Sequence, residues 1–257
     1  GPGAVDLLTD AGAKALAEAD SVLFDRLLPQ EMLDMAPKTA EMVDVGKGKE
    51  LKTEQAKESQ DHIDDELVRR AKAGQRVVRL KNGDPFIYGR GGEEIDRLRR
   101  EGVPYKVIPG VTSAFAAAAA VGIPLTMRGT SNCLLIVTGN GQGKTVPFDL
   151  IAGLGSNLAT VFYMSLGALP AICNKLTAVG VALPMACVEQ ASLPGERVIV
   201  GTVATLPGLV EVAVPPVDKA CIMVLGSVAQ WASDAGPAVL GCGELDGSRP
   251  AKRSRQE

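Results

Sequence analysis

The feature that most constrains this chain is an alternation. Short runs of Val, Ile and Leu recur between segments whose apolar residues fall at helical spacing. Runs at 21–28, 41–46, 75–81, 104–108, 131–138, 158–164, 185–190, 197–202 and 219–226 predict strands. Several lack polar alternation, the pattern of strands covered on both faces. Between them, 56–73 places Ile63, Leu67, Val68 and Ala71 on one helical face and Asp64, Asp65, Arg69 and Arg70 on the other. Segments 92–100, 112–121 and 169–179 read as further helices. Thr112 and Ser113 are N-cap candidates after Pro109-Gly110, and Gly180 is placed to close the helix before it. Strands and helices in alternation predict an α/β fold built in layers. Two halves are expected, 1–112 and 113–232, meeting near 110–128. The stretch 233–257 is rich in Gly, Asp and Ser, ends in a basic cluster, and is expected to be a disordered tail.

Composition narrows the function classes. A length of 257 residues, 46% of them hydrophobic, is enough for one large core or two ordinary ones. A net charge of −3 argues against a general nucleic-acid binder, which carries a strongly basic face. The five cysteines are odd in number and form no C-x-x-C pair, which reads as free thiols in a reducing compartment. With His62 the only histidine, a histidine-based metal site is not expected, and no metal cofactor is assigned. The longest apolar stretch, 114–125, is too short to span a bilayer and is interrupted by Gly122 and Pro124, so no membrane partner is expected.

The densest chemical signal is the glycine-rich turn Lys81-Asn82-Gly83-Asp84-Pro85-Phe86-Ile87-Tyr88-Gly89-Arg90-Gly91-Gly92-Glu93-Glu94, which follows a strand and precedes a helix. Ligands of open α/β sheets bind beyond the carboxyl ends of strands. Glycines there permit positive φ and close backbone approach. Asp84 can accept from a hydroxyl or an ammonium group, and Arg90 can present a fork to a carboxylate. An ordinary capped turn is the competing reading. The turns at Pro109-Gly110-Val111-Thr112-Ser113 and Gly1-Pro2-Gly3 are weaker when taken alone. The loop Gly139-Asn140-Gly141-Gln142-Gly143-Lys144-Thr145 imitates a phosphate loop but lacks its first glycine, because Thr138 stands there, and Pro147 falls where the following helix should run.

Together these segments resemble the tetrapyrrole methylase family. The likeness runs from Gly1 to about Val228 and is carried by Gly1-Pro2-Gly3 with Leu7-Leu8-Thr9, Leu23-Phe24-Asp25-Arg26-Leu27, Val45-Gly46-Lys47, and Val77–Phe86 leading into Gly89–Glu94. It continues through Pro109–Ser113, Gly122-Ile123-Pro124-Leu125-Thr126-Met127-Arg128, Val137-Thr138-Gly139 and Phe162-Tyr163-Met164. The resemblance implies two unequal α/β domains with S-adenosylmethionine in the cleft between them. It implies cofactor contacts from Pro2, Gly83, Asp84, Ile87, Thr112, Ser113, Met164 and Ala191, and proton-transfer or turnover roles for Asp25, Lys47 and Arg90. Arg26, Arg90, Thr126 and Arg128 would face a tetrapyrrole rich in carboxylates.

The implied activity is methylation of uroporphyrinogen III at C2 and C7, giving precorrin-2 for sirohaem or cobalamin. A later precorrin, the diphthine site of a protein, or noncatalytic tetrapyrrole or nucleotide binding are the alternatives. A homodimer and a cytoplasmic or plastid location are implied too. Read without the family, Asp25 with Arg26 is equally a surface ion pair, Lys47 a solvated charge and Met164 core filler. Ala4, Asn82, Met127 and Ala191 depart from the family pattern; Asn82 is expected to keep its turn because Asn tolerates positive φ. Members begin with an apolar strand running into Gly-Pro-Gly. The sequence therefore leads us to expect a fragment of a longer chain, or poor stability as given.

Overall fold

The structure, a computed structural model, describes residues 1–25, 28–46, 53–139, 146–217 and 220–234, with backbone alone at 53–59 and 233–234. Two sheets result. The first is parallel, in the order β2-β1-β3, from β1 (Ser21–Phe24), β2 (Glu41–Asp44) and β3 (Val77–Leu80). The second is mixed, in the order β4-β5-β8-β6-β7, from β4 (Cys133–Thr138), β5 (Leu158–Tyr163), β6 (Pro184–Glu189), β7 (Arg197–Thr202) and β8 (Cys221–Leu225). Only β4 and β5 run parallel there; β5–β8, β8–β6 and β6–β7 are antiparallel.

The helices are α1 (Asp10–Ala17), α2 (Gln30–Leu33), α3 (Thr53–Lys72), α4 (Gly91–Arg100), α5 (Ser113–Ala120), α6 (Phe148–Leu154), α7 (Leu169–Ala178), α8 (Leu206–Glu211) and α9 (Trp231–Asp234). Each sheet is covered on both faces, as the apolar runs predict. Strand side chains alternate in direction. In the second sheet, Ala159, Val161 and Tyr163 of β5 pack with Ala186, Val188, Ile222 and Val224 against the alanines of α5. The intervening Leu158, Phe162, Met185, Cys187, Met223 and Leu225 face α6, α7 and α8. Alanine at 114, 117 and 118 lets α5 lie close on the sheet. In the first sheet, Val22, Phe24, Val78 and Leu80 face α1 and α2, while Leu23 and Val77 face α3 and α4.

The strand expected at 104–108 forms no ladder, and among the described residues β3 pairs only with β1. A cavity of about 110 Å³ lies beside β3, lined by Leu7, Leu8, Ala15, Val78, Leu80 and Ile108. The strand expected at 21–28 ends at Phe24, and Pro29 instead caps a short helix. No helix of the described residues is long and apolar enough to cross a membrane. The tail 235–257 lies outside the described residues.

Candidate functional site

Five turns, at 1–4, 81–91, 109–113, 163–165 and 190–192, are linked by close backbone approach and hydrogen bonds. Glycine makes the approach possible. A Cβ on Gly83 (φ 92°) would lie 2.8 Å from Gly1 Cα, and one on Gly110 would lie 2.3 Å from the Gly83 carbonyl oxygen. Asp84 ties these turns. Its Oδ1 accepts from the Phe86 N–H at 2.9 Å and its Oδ2 from the Gly110 N–H at 3.2 Å. Each oxygen keeps a further lone pair for a ligand. The N-terminal turn is pinned to the far half of the molecule: Ser192 Oγ donates to the Pro2 carbonyl (3.0 Å) and accepts from the Ala4 N–H (3.4 Å).

Tyr163, at the end of β5, joins the halves a second time. Its hydroxyl shares a hydrogen bond with Thr112 Oγ1 (2.6 Å) and accepts from the Ala114 N–H (2.7 Å), so a tyrosine from the second sheet caps α5. Thr112 holds the N-cap position of α5, as expected, but its side chain makes no cap bond to the helix. The Tyr88 ring packs against Tyr163 with centroids 5.1 Å apart, and its hydroxyl donates to the Ile136 carbonyl of β4 (3.2 Å). Burial pushes the Tyr163 hydroxyl above its ordinary pKa.

Five non-glycine residues have positive φ among the described residues: Tyr88, Arg90, Met164, Gln190 and Ser192. All five lie on these turns. Such conformations cost on the order of 1–3 kcal/mol each and gather where a ligand is held. The positive φ foreseen near Asn82 falls on Gly83 instead, so Asn at 82 needs no special tolerance.

Most of the expected cofactor residues meet here. Pro2 and Thr112 are buried, Ile87 packs half-buried on the α5-side core, and Ser113 opens α5. Ala191 is buried in that same core, while Met164 is half exposed beside Tyr163. This set is a carboxylate, hydroxyls, backbone groups and apolar side chains, which suits the ammonium, ribose and adenine of a nucleoside-like cation. Asp25 follows β1 and accepts from Arg79 Nη2 at 2.9 Å. Arg90 stands at the N-cap of α4, where Glu93 accepts from its Nε (2.9 Å) and Nη2 (2.5 Å). Thr126 and Arg128 are exposed on the turn from α5 to β4, and among the described residues no hydrogen bond or ion pair ties them to this cluster. Met127 between them packs half-buried against the α5-side core, which accounts for an apolar residue there. Lys47, Arg26 and the loop 140–145 lie outside the described residues.

Sequence reasoning missed a buried charged group beneath Asp25. Arg79 Nε donates to Glu94 Oε1 (3.1 Å), and Lys81 Nζ donates to the same oxygen (2.8 Å). Burial, reinforced by repulsion from Arg79, lowers the Lys81 pKa, and Glu94 opposes the drop. The only available signal was charge inside a strand, Arg79 in Val77–Leu80, where an uncompensated cation is costly.

A family model described as tetrapyrrole (corrin/porphyrin) methylases matches residues 1–207. A siroheme synthase from Methylobacillus flagellatus is 41% identical over 230 residues, covering 89% of this chain and 48% of that protein. The chain thus spans about half the length of such curated relatives. A uroporphyrin-III C-methyl transferase from Thermus thermophilus, solved with S-adenosylhomocysteine, superposes with a TM-score of 0.71 at 36% identity, covering 89% of this chain and 95% of that one. A cobalt precorrin-4 methyltransferase superposes with a TM-score of 0.75 at 26% identity, covering 89% and 92%.

Proposed function

We infer the function from one premise: the chain belongs to the tetrapyrrole methylase family. It binds S-adenosylmethionine and methylates uroporphyrinogen III at C2 and C7, supplying precorrin-2 for sirohaem or cobalamin. The observation that carries this reading is the convergence of strained, glycine-enabled turns from both sheets around Asp84, Thr112 and Met164.

When bound, S-adenosylmethionine supplies a methyl group that is already electrophilic. The chain's residues therefore position, exclude water and move a proton. Gly83, Asp84 and the backbone of 109–113 would hold the cofactor's polar groups, with Pro2, Ile87, Met164 and Ala191 against its apolar surfaces. Asp84 suits a cation, since its carboxylate is fixed by two backbone N–H groups. Arg90, oriented by Glu93, offers its fork to a substrate carboxylate. Methylation of a pyrrole carbon leaves the ring system cationic, and Asp25 accepts the proton whose loss restores neutrality. Lys47 shares in proton transfer, and Arg26, Thr126 and Arg128 contribute to the substrate surface. A homodimer, which light scattering would test, and a cytoplasmic or plastid location complete the proposal. The buried free thiols Cys173 and Cys187 fit a reducing compartment.

The test is anaerobic incubation with uroporphyrinogen III and methyl-labelled S-adenosylmethionine. Label entering the tetrapyrrole, and lost in Arg90→Ala, supports the reading. Cofactor binding without label transfer points instead to a later precorrin, another acceptor or a binding protein.

A further inference from the structure

We propose that Arg79 is a positioning residue for methyl transfer, acting by holding the Asp25 carboxylate toward the reacting tetrapyrrole. The proposal rests on the functional reading above. Asp25 lies just past the end of β1 with its side chain 36% exposed. Such a side chain rotates freely unless it is held. The hydrogen bond described for it is the one from Arg79 Nη2 at 2.9 Å.

Arg79 is well placed for that task. It stands opposite Leu23 in the β1–β3 register, so its side chain reaches the end of β1 from below. Its guanidinium is 12% exposed and is fixed on four sides. Besides Asp25 it donates to Glu94 Oε1 (3.1 Å), to the Leu23 carbonyl (3.3 Å) and to the Leu80 carbonyl (3.1 Å). A planar fork held this way presents its remaining N–H in one direction. Glu94, 4% exposed, sits in the first turn of α4 and is also bound by Lys81. Two cations and two carboxylates thus alternate through the face of the first sheet that α3 and α4 cover. Of the four, only Asp25 opens appreciably to solvent. Glu94 is one helical turn beyond Arg90, and its N–H donates to the Arg90 carbonyl (3.4 Å).

A double-mutant cycle tests this, with wild-type turnover of uroporphyrinogen III as its first measurement. Arg79→Met should lower kcat about 10²-fold, the usual consequence of displacing a reacting group by about 1 Å. KM should change little, and S-adenosylhomocysteine affinity by calorimetry should stay within about twofold of wild type. Arg79→Lys, which keeps the cation without the fork, should recover part of the loss. In an Asp25→Asn background, Arg79→Met should cost less than about twofold in kcat, because the two residues act as one unit. Should Arg79→Met not fold, Arg79→Lys alone and with Asp25→Asn closes the same cycle. Multiplying effects, or an Arg79 variant with wild-type kcat, would overturn the proposal while leaving the functional reading intact. A wild-type enzyme that transfers no methyl group would overturn both.

Discussion

Replacing Tyr163 by Phe removes one oxygen from the place where the two halves meet. Two groups then lose their partner: the Ala114 N–H, now 2.7 Å from the phenol oxygen, and Thr112 Oγ1, at 2.6 Å. Both residues are almost wholly buried, so water does not easily substitute. An orphaned buried polar group costs about 1–3 kcal/mol. Two such groups, with some relaxation, give an expected loss of about 2–4 kcal/mol. The ring contact with Tyr88 survives in the variant and is not part of the sum. For a chain of this size the loss lowers Tm by about 5–15 °C. Urea melts of the two proteins should show a lower midpoint with an unchanged slope. Tyr88→Phe is the internal control, because its single bond to Ile136 is exposed and should cost under about 0.5 kcal/mol. S-adenosylhomocysteine affinity should fall about tenfold in Tyr163→Phe, because Thr112 is then free to turn away. A destabilisation under about 0.5 kcal/mol, or one equal to that of Tyr88→Phe, refutes the assignment of Tyr163 as the cap that joins the halves.

Three further outcomes are expected. Gly110→Ala drives a Cβ to 2.3 Å from a backbone oxygen, so thermal melts should show a loss of about 1–3 kcal/mol and calorimetry a loss of cofactor binding. Glu66 is held at a pKa of about 2 against an ordinary 4.5, chiefly by hydrogen bonds from Arg69 and then Arg70. A depressed carboxylate contributes stability above its unfolded pKa and loses it as pH falls through the folded one, so stability should decline between about pH 4.5 and about 2, less steeply in Glu66→Gln. Burial pushes the Cys173 thiol up to about 11, so it should label far more slowly with a thiol reagent in the native protein than in urea.

Much of the architecture was legible because buried strands write themselves as runs of Val, Ile and Leu. The runs at 158–164 and 185–190 became β5 and β6 almost unchanged. The run at 104–108 has the right residues but no partner strand among the described residues, and a ladder requires two edges. Apolar character alone does not report whether a neighbour is in reach. The turns at 81–94 and 109–113 were legible because glycine, proline and aspartate constrain backbone directly. The resemblance implied that Met164 joins them; the part of Ser192 was not foreseen, since positive φ at Met, Gln or Ser has no sequence signature. Tyr163 hid for another reason: its ring belongs to the core pattern, and only the fold shows what its hydroxyl reaches. The Asp25–Arg79–Glu94–Lys81 group was equally hidden, because its members come from two strand ends and a helix start.

The most direct measurement is carbon NMR of the tetrapyrrole produced anaerobically from uroporphyrinogen III and 13C-methyl S-adenosylmethionine. The account predicts two labelled methyl groups, at C2 and C7. Labelled methyl groups at other ring positions, or an unlabelled tetrapyrrole with the cofactor still bound, would contradict it.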